Sequence, residues 1–314
     1  MKLRVEAAVC SSIGRRINNE DNFYVNGRYM EREQMNRGGQ YNAIIADEVQ
    51  IYAVCDGMGG AEYGEEASLT AVKALARYQR TCAQPDNSRY LGDMIDATSA
   101  EVDQISLDKG TESGSCGSTI AMIVMRNDNI RFVHVGDSRV YRLRDGKLMR
   151  MTRDDSEVQN MVDRGEITAD QAWNHPRKNV ITRHLGMPLD GTKLIPTISA
   201  RQLLNPGDIY MICSDGVSDQ MRDASIQEVL TQAKTPEEAA ENLVRNALRN
   251  ADEAGIKSDN ITCIVLSILQ PGEAGYDEKK LLRLKLMRGI VAGVSVAALG
   301  LLGYNIVRLV QLLR

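Results

Sequence analysis

Four apolar runs of β character in this chain each end at, or begin from, an aspartate. The run 51–55 leads into Asp56, 130–135 into Gly136-Asp137 and 209–213 into Ser214-Asp215, while Ser258-Asp259-Asn260 introduces 261–266. A further acidic pair, Glu20-Asp21, follows the first strand-like run, 5–11. One aspartate beside a strand is by default a turn residue. Five acidic sites at matching strand ends constrain the chain far more, because they draw the carboxylates toward one end of the sheets. Carboxylates gathered there repel one another and require a counter-charge. All-oxygen donors without a suitable Cys/His set favour magnesium or manganese over zinc. Two such ions about 3.5–4 Å apart form a clamp for in-line phosphoryl displacement. The most pointed of these sites is Asp56-Gly57-Met58-Gly59-Gly60, where glycine lets the main chain fold closely around a ligand.

Periodicity supplies the rest of the frame. Helical spacing covers 62–81, 89–108, 224–233 and 236–254. The runs 119–125 and 130–135 form a hairpin across Asn127-Asp128-Asn129, and Asp145-Gly146 closes another before 148–151. Residues 28–48 are polar with little periodicity and read as a surface insertion. Residues 153–188, with short helices and few strand formers, read as a flap beside the main sheet.

Charge argues against one class of partner. The 314 residues carry a net charge of −4, and seven positive charges after Glu278 leave residues 1–278 at −11. So acidic a main domain disfavours nucleic acid and suits cation binding. The six cysteines contain no Cys-x-x-Cys pair and read as buried free thiols in a reducing compartment. Residues 1–6 lack the apolar core of a signal peptide.

Taken together, Arg16-x-x-Asn19-Glu20-Asp21, Asp56-Gly57-Met58-Gly59-Gly60, Gly136-Asp137-Ser138-Arg139, Ser214-Asp215-Gly216 and Asp259-Asn260 resemble the metal-dependent Ser/Thr protein phosphatases of type 2C, in their bacterial form. The stretch from Thr152-Arg153-Asp154 to His175-Pro176-Arg177-Lys178-Asn179-Val180-Ile181-Thr182-Arg183 is similar to the bacterial flap. The resemblance implies an α+β fold: a four-layer α-β-β-α sandwich of two antiparallel sheets flanked by helices, over residues 1–270. It implies hydrolysis of phosphoserine and phosphothreonine on proteins by a water between two Mn²⁺ or Mg²⁺ ions, without a covalent phosphoenzyme. Under it Asp56 bridges the ions and the Gly57 carbonyl joins one shell. Asp215 and Asp259 complete the first ion, Glu20 reaches the second through water, and Asp21 supports the shell. Asp137 resembles the ligand of a third, weaker ion, and Arg16 the bidentate holder of the substrate phosphate. Where animal relatives carry a histidine proposed as general acid, this chain has Met58, whose thioether has no proton to give; that duty passes to water. His134 reads as a core or edge residue and His175 as a flap-positioning one, and Arg139 is open between pinning loops and touching substrate.

Beyond a basic linker, 271–288, the run 289–307 holds 19 residues without a charge, before a short tail, 308–314. A membrane-crossing helix needs about 20 residues. The expectation is a transmembrane helix with the catalytic domain on the cytoplasmic side, where the positive linker lies. A bacterial enzyme of this type often opposes a membrane-bound Ser/Thr kinase. Two other functions remain: a catalytically silent phosphoprotein-binding module on the same fold, and a different two-metal hydrolase such as a nuclease.

Overall fold

The structure is a computed structural model that describes residues 4–59, 63–189 and 191–269. The chain divides into two units, Met1–Ile268 and Leu269–Arg314, and every helix and strand described belongs to the first. The expected linker, apolar run and tail lie outside the described residues. Among the described residues no helix is long and apolar enough to cross a membrane.

In chain order the elements begin with β1 (Val5–Ser12), β2 (Asp21–Val25), α1 (Arg32–Met35), β3 (Gly39–Ile45), β4 (Val49–Met58), α2 (Gly64–Thr81) and α3 (Ser88–Asp108). Next come β5 (Gly117–Ser118), β6 (Ile120–Arg126), β7 (Asn129–Val135), β8 (Arg139–Arg144), β9 (Lys147–Arg150), α4 (Glu157–Asp163) and α5 (Ala169–Trp173). The chain closes with β10 (Thr197–Ile198), β11 (Gln202–Leu203), β12 (Ile209–Cys213), α6 (Asp215–Ser218), α7 (Asp223–Gln232), α8 (Pro236–Glu253) and β13 (Ile261–Ile268).

Two antiparallel sheets result. One has the order β3-β1-β13-β12-β8-β9, the other β10-β7-β6-β4-β2 with β11 and β5 off that path. Side chains alternate across a strand, and β1 shows what this does. Val5, Ala7 and Val9 join the larger apolar core with residues of β4, β6 and β7. Ala8 and Cys10 join a second core with Leu243, Val244 and Ala247 of α8. One face of β1 therefore meets the other sheet and the opposite face meets a helix, which gives the expected layering. On the far side, Ala67, Ala71 and Leu75 of α2 and Leu91 and Ile95 of α3 belong to the larger core. All six cysteines are free thiols, five of them buried. At the β8–β9 turn, Asp145 and Gly146 have φ of 51° and 72°, the left-handed pair that a two-residue hairpin requires.

Two segments depart from the sequence reading. Residues 28–48 are not a loose insertion: α1 forms there and β3 pairs with β1 from Val5↔Ile45 to Ser11↔Gly39. Met30 and Met35 are buried, while Gln40 and Asn42 face out. An edge strand is wet on one side, and its polar positions hid the apolar alternation. The other departure is β2, a strand that none of the apolar runs announces. It pairs with β4 in a register that sets Asp21 opposite Asp56.

Candidate metal centre

The strand order carries the acidic residues to one end of the sandwich. Asp56 lies near the end of β4, Asp21 opens β2, Asp137 follows β7, Asp215 opens α6 straight after β12, and Asp259 lies just before β13. Glu20, Asp56, Gly57, Asp137, Asp215, Asp259 and Arg16 line one cavity of about 430 Å³, together with Met58, Thr119, Asn260 and, from the flap, Asn179 and Ile181. Asp21 alone of the predicted set stands behind the wall. It is fully buried, its Oδ2 accepts from Ser214 Oγ at 2.8 Å, and its Oδ1 has no hydrogen-bond partner.

Hydrogen bonds hold these loops in register. Asn260 is the hub: its Oδ1 accepts from the Glu20 N–H at 2.8 Å, and its Nδ2 donates to the carbonyls of Ile13 and Asn18, each at 2.9 Å. The Asn260 N–H donates to Asp259 Oδ1 at 2.8 Å. Thr119 Oγ1 accepts from the Asp56 N–H at 3.0 Å and lies 2.7 Å from Ser138 Oγ, which ties β4 to the Asp137 loop. Ser214 Oγ also accepts from the Thr262 N–H at 3.1 Å. Glycine is obligatory at Gly57, where an added Cβ would lie 2.0 Å from the Gly64 carbonyl oxygen and 2.7 Å from that of Glu20.

Electrostatically the site is an excess of negative charge. Burial pushes the Asp56 carboxyl well above the usual carboxylate range, and Asp21, Asp215, Asp137 and Asp259 push it further. Asp215 is raised well by burial and by Asp137, Asp219 and Asp259. Burial likewise raises Asp21, against the Ser214 hydrogen bond, and raises Asp137 with help from Asp154 and Asp219. Glu20 rises to about 7 through burial and the neighbouring Glu65. Arg16 Nη2 donates to Asp259 Oδ2 at 2.6 Å, in an ion pair that is half exposed at the arginine.

Among the described residues no three His, Cys, Asp or Glu side chains stand close enough together to hold a metal ion by themselves. The oxygen donors are instead spread around a cavity with room for ions and their waters. That suits magnesium or manganese, hard ions that retain several waters, and does not suit zinc held by four protein ligands. The crowding of the carboxyls of Asp56, Asp137 and Asp215 around one cavity, each raised by burial and by its acidic neighbours, is what a cation between them would relieve.

The flap is anchored beside Asp137. Asp155 Oδ2 accepts from the Gly136 N–H at 3.0 Å, and Arg139 grips Asp154 through Nη2 at 2.6 Å and Nε at 3.1 Å. Arg139 therefore pins the flap base and is absent from the cavity lining. His134 is buried with Nε2 2.7 Å from the Arg153 carbonyl, and His175 Nδ1 accepts from the Arg177 N–H at 3.2 Å within the flap. Sequence reading missed Asp219. Four residues after Asp215, its backbone N–H donates to the Asp215 carbonyl at 2.7 Å, and its carboxylate pairs with Lys178 at 2.6 Å. The i, i+4 spacing was the signal that would have found it. The hub role of Asn260 had no such signal, since its partners lie in a distant loop.

Comparison with known proteins agrees with this geometry. The family model for protein phosphatase 2C matches residues 27–255. Serine/threonine protein phosphatase PstP of Mycobacterium tuberculosis is 34% identical over 255 residues, covering 81% of this chain. The chain spans only 43% of that relative's length. The PstP catalytic domain, solved in complex with two manganese ions, superposes with a TM-score of 0.67 at 31% identity, covering 85% of this chain and all of that one. A serine/threonine phosphatase from Staphylococcus aureus gives a TM-score of 0.70 at 26% identity, covering 84% and 95%. With a family model matched over more than half of its length and a relative 34% identical over 81% of it, the chain belongs to the protein phosphatase 2C family.

Proposed function

We propose that this chain removes phosphate from phosphoserine and phosphothreonine side chains of proteins, using two Mn²⁺ or Mg²⁺ ions. The observation that carries the reading is the gathering of Glu20, Asp56, Asp137, Asp215 and Asp259 around one cavity that Arg16 also lines. Asp56 would hold both ions and the Gly57 carbonyl one of them. Asp215 and Asp259 would complete the first, Glu20 would serve the second, and Asp137 with Asp215 a weaker third. Asp21 would steady Asp56 from behind. Bound there, such ions polarise phosphoryl oxygens and lower the pKa of water.

The chain's own groups do the rest. Arg16 commits one N–H to Asp259 and has the rest of its fork to grip a phosphate bidentately, which a lysine cannot imitate. Asn260 keeps the Arg16–Glu20 loop and Asp259 in step. Met58 lines the cavity without a proton to offer, so the leaving alkoxide takes its proton from water. The uncharged run 289–307 supports a location at the membrane, opposite a Ser/Thr kinase acting on the same proteins. Recovery of the full chain in the soluble fraction without detergent would contradict that location.

The test is Mn²⁺-dependent phosphate release from a phosphothreonine peptide, with single-stranded DNA as a parallel substrate. The reading expects release from the peptide, none from DNA, and loss of activity with chelator. Peptide binding without turnover would instead identify a silent binding module.

A further inference from the structure

Beside the metal cavity runs a second hollow of about 540 Å³, and the two share Asp137 and Asp215. Its outer wall comes from the flap: Val158 and Val162 of α4 with Ala169, Ala172 and Trp173 of α5. The facing wall is the start of α7 and the end of α6. We propose that this groove is the subsite for an apolar side chain of the phosphoprotein, a few residues from the phosphorylated one. This rests on the phosphatase reading above.

Two observations select an apolar occupant. The first is that the cations lining the groove already have partners, while of the remaining acids Asp137 and Asp215 also line the metal cavity and Asp223 accepts from Tyr141 Oη at 3.1 Å. Arg139 and Arg150 both pair with Asp154, at 2.6 and 3.3 Å, and Lys178 pairs with Asp219 at 2.6 Å. Arg222 lies 4.1 Å above the Trp173 ring and pairs with Asp170 at 3.0 Å. An acidic substrate residue would have to take a cation from its partner, whereas an apolar one covers the Val158–Ala172 wall and leaves the pairs intact. The second is continuity. The groove opens on Asp137 and Asp215, so an extended peptide with its phosphate at the metal cavity passes directly along it, at about 3.3 Å per residue. The small side chains of Ala169 and Ala172 leave the room; a larger residue at either place would fill it.

The experiment uses the full chain with saturating Mn²⁺. Phosphothreonine peptides differ in one side chain, Leu, Ser, Asp or Lys, scanned over three positions on each side of the phosphoresidue. p-Nitrophenyl phosphate, too small to reach the groove, is the reference. The proposal expects one position at which Leu exceeds Ser by about 10-fold in kcat/KM, mainly through KM. In Ala172→Leu that ratio falls to about 1 with the folded circular-dichroism spectrum retained. Val162→Ser, which makes the wall polar without filling the groove, lowers the ratio as well. The proposal is overturned if no position favours Leu, if Asp or Lys is preferred, or if the ratio survives in both variants. Absence of turnover on p-nitrophenyl phosphate by the parent chain would remove the phosphatase reading and the subsite with it. Turnover of that reference with no side-chain preference would remove the subsite alone.

Discussion

Replacing Gly216 by alanine tests whether backbone packing, and not side-chain chemistry alone, sets the acidic cluster. Gly216 follows Asp215 in α6, and a Cβ there would lie 2.0 Å from the Asn260 carbonyl oxygen and 3.1 Å from Ile261 Cγ1. Ordinary contact begins near 3.4 Å, so one of the two backbones must retreat by roughly 1.4 Å. The obstacle is main chain and cannot rotate away. Overpacking of this kind costs about 1–3 kcal/mol, which is a fall in Tm of roughly 3–9 °C for a domain of this size. The retreat also separates Asp215 from Asp259, and a shift near 1 Å can cost about 100-fold in turnover. Gly92, in the second turn of α3, supplies the control, because a Cβ there meets nothing within 4 Å. Gly92→Ala should raise stability by about 0.5–1 kcal/mol through helix propensity and leave kcat/KM unchanged. Differential scanning calorimetry with Mn²⁺-dependent turnover reads both. A Gly216→Ala protein with parental Tm and parental kcat/KM would refute the packing argument.

Asn260→Ala removes the three side-chain bonds that join the loop 13–20 to β13. It should cost about 2–4 kcal/mol in urea unfolding and raise the Mn²⁺ concentration needed for half-activity. Chelator-treated protein should lose Tm as pH rises from about 4.5 to 7.5. Glu20 is raised by burial to about 7, and Asp21, Asp137, Asp56 and Asp215 are raised too. Acids raised in the fold contribute stability below their unfolded pKa that is lost as pH climbs through the folded one. Saturating Mn²⁺ should flatten the slope, and a Tm that climbs across this window in chelator would contradict the burial of these acids. Asp208, whose burial is outweighed by Arg144, is a depressed acid and acts only at lower pH. Met58→Ala should lower kcat only mildly at any pH; a severe loss in a folded protein would give Met58 more than a lining role.

Much of this site was legible because its logic is local. An aspartate at the end or the start of a strand can be read from a few residues, and Asp56, Asp137, Asp215 and Asp259 all carry that pattern. The long helices and the central strands announced themselves through period, since each buries one face or both. What escaped reading is held by distant partners. β2 looks polar because Asp21 and Asn22 are buried for hydrogen bonding and charge, and not for apolar area. β3 looks irregular because it is a sheet edge. Asn260 joins segments 240 residues or more apart, and only the folded chain brings them together.

In the proposed mechanism Asp56 is the residue that would let one cavity hold two ions. Isothermal titration of the chelator-stripped chain with Mn²⁺, followed by electron paramagnetic resonance, tests this without recourse to activity. The parent should bind two ions with the spectral signature of a coupled pair. Asp56→Asn should keep the fold and lose the coupling, with at least one site weakened about 100-fold or more. Two coupled ions bound with parental affinity in Asp56→Asn would contradict the account at its centre.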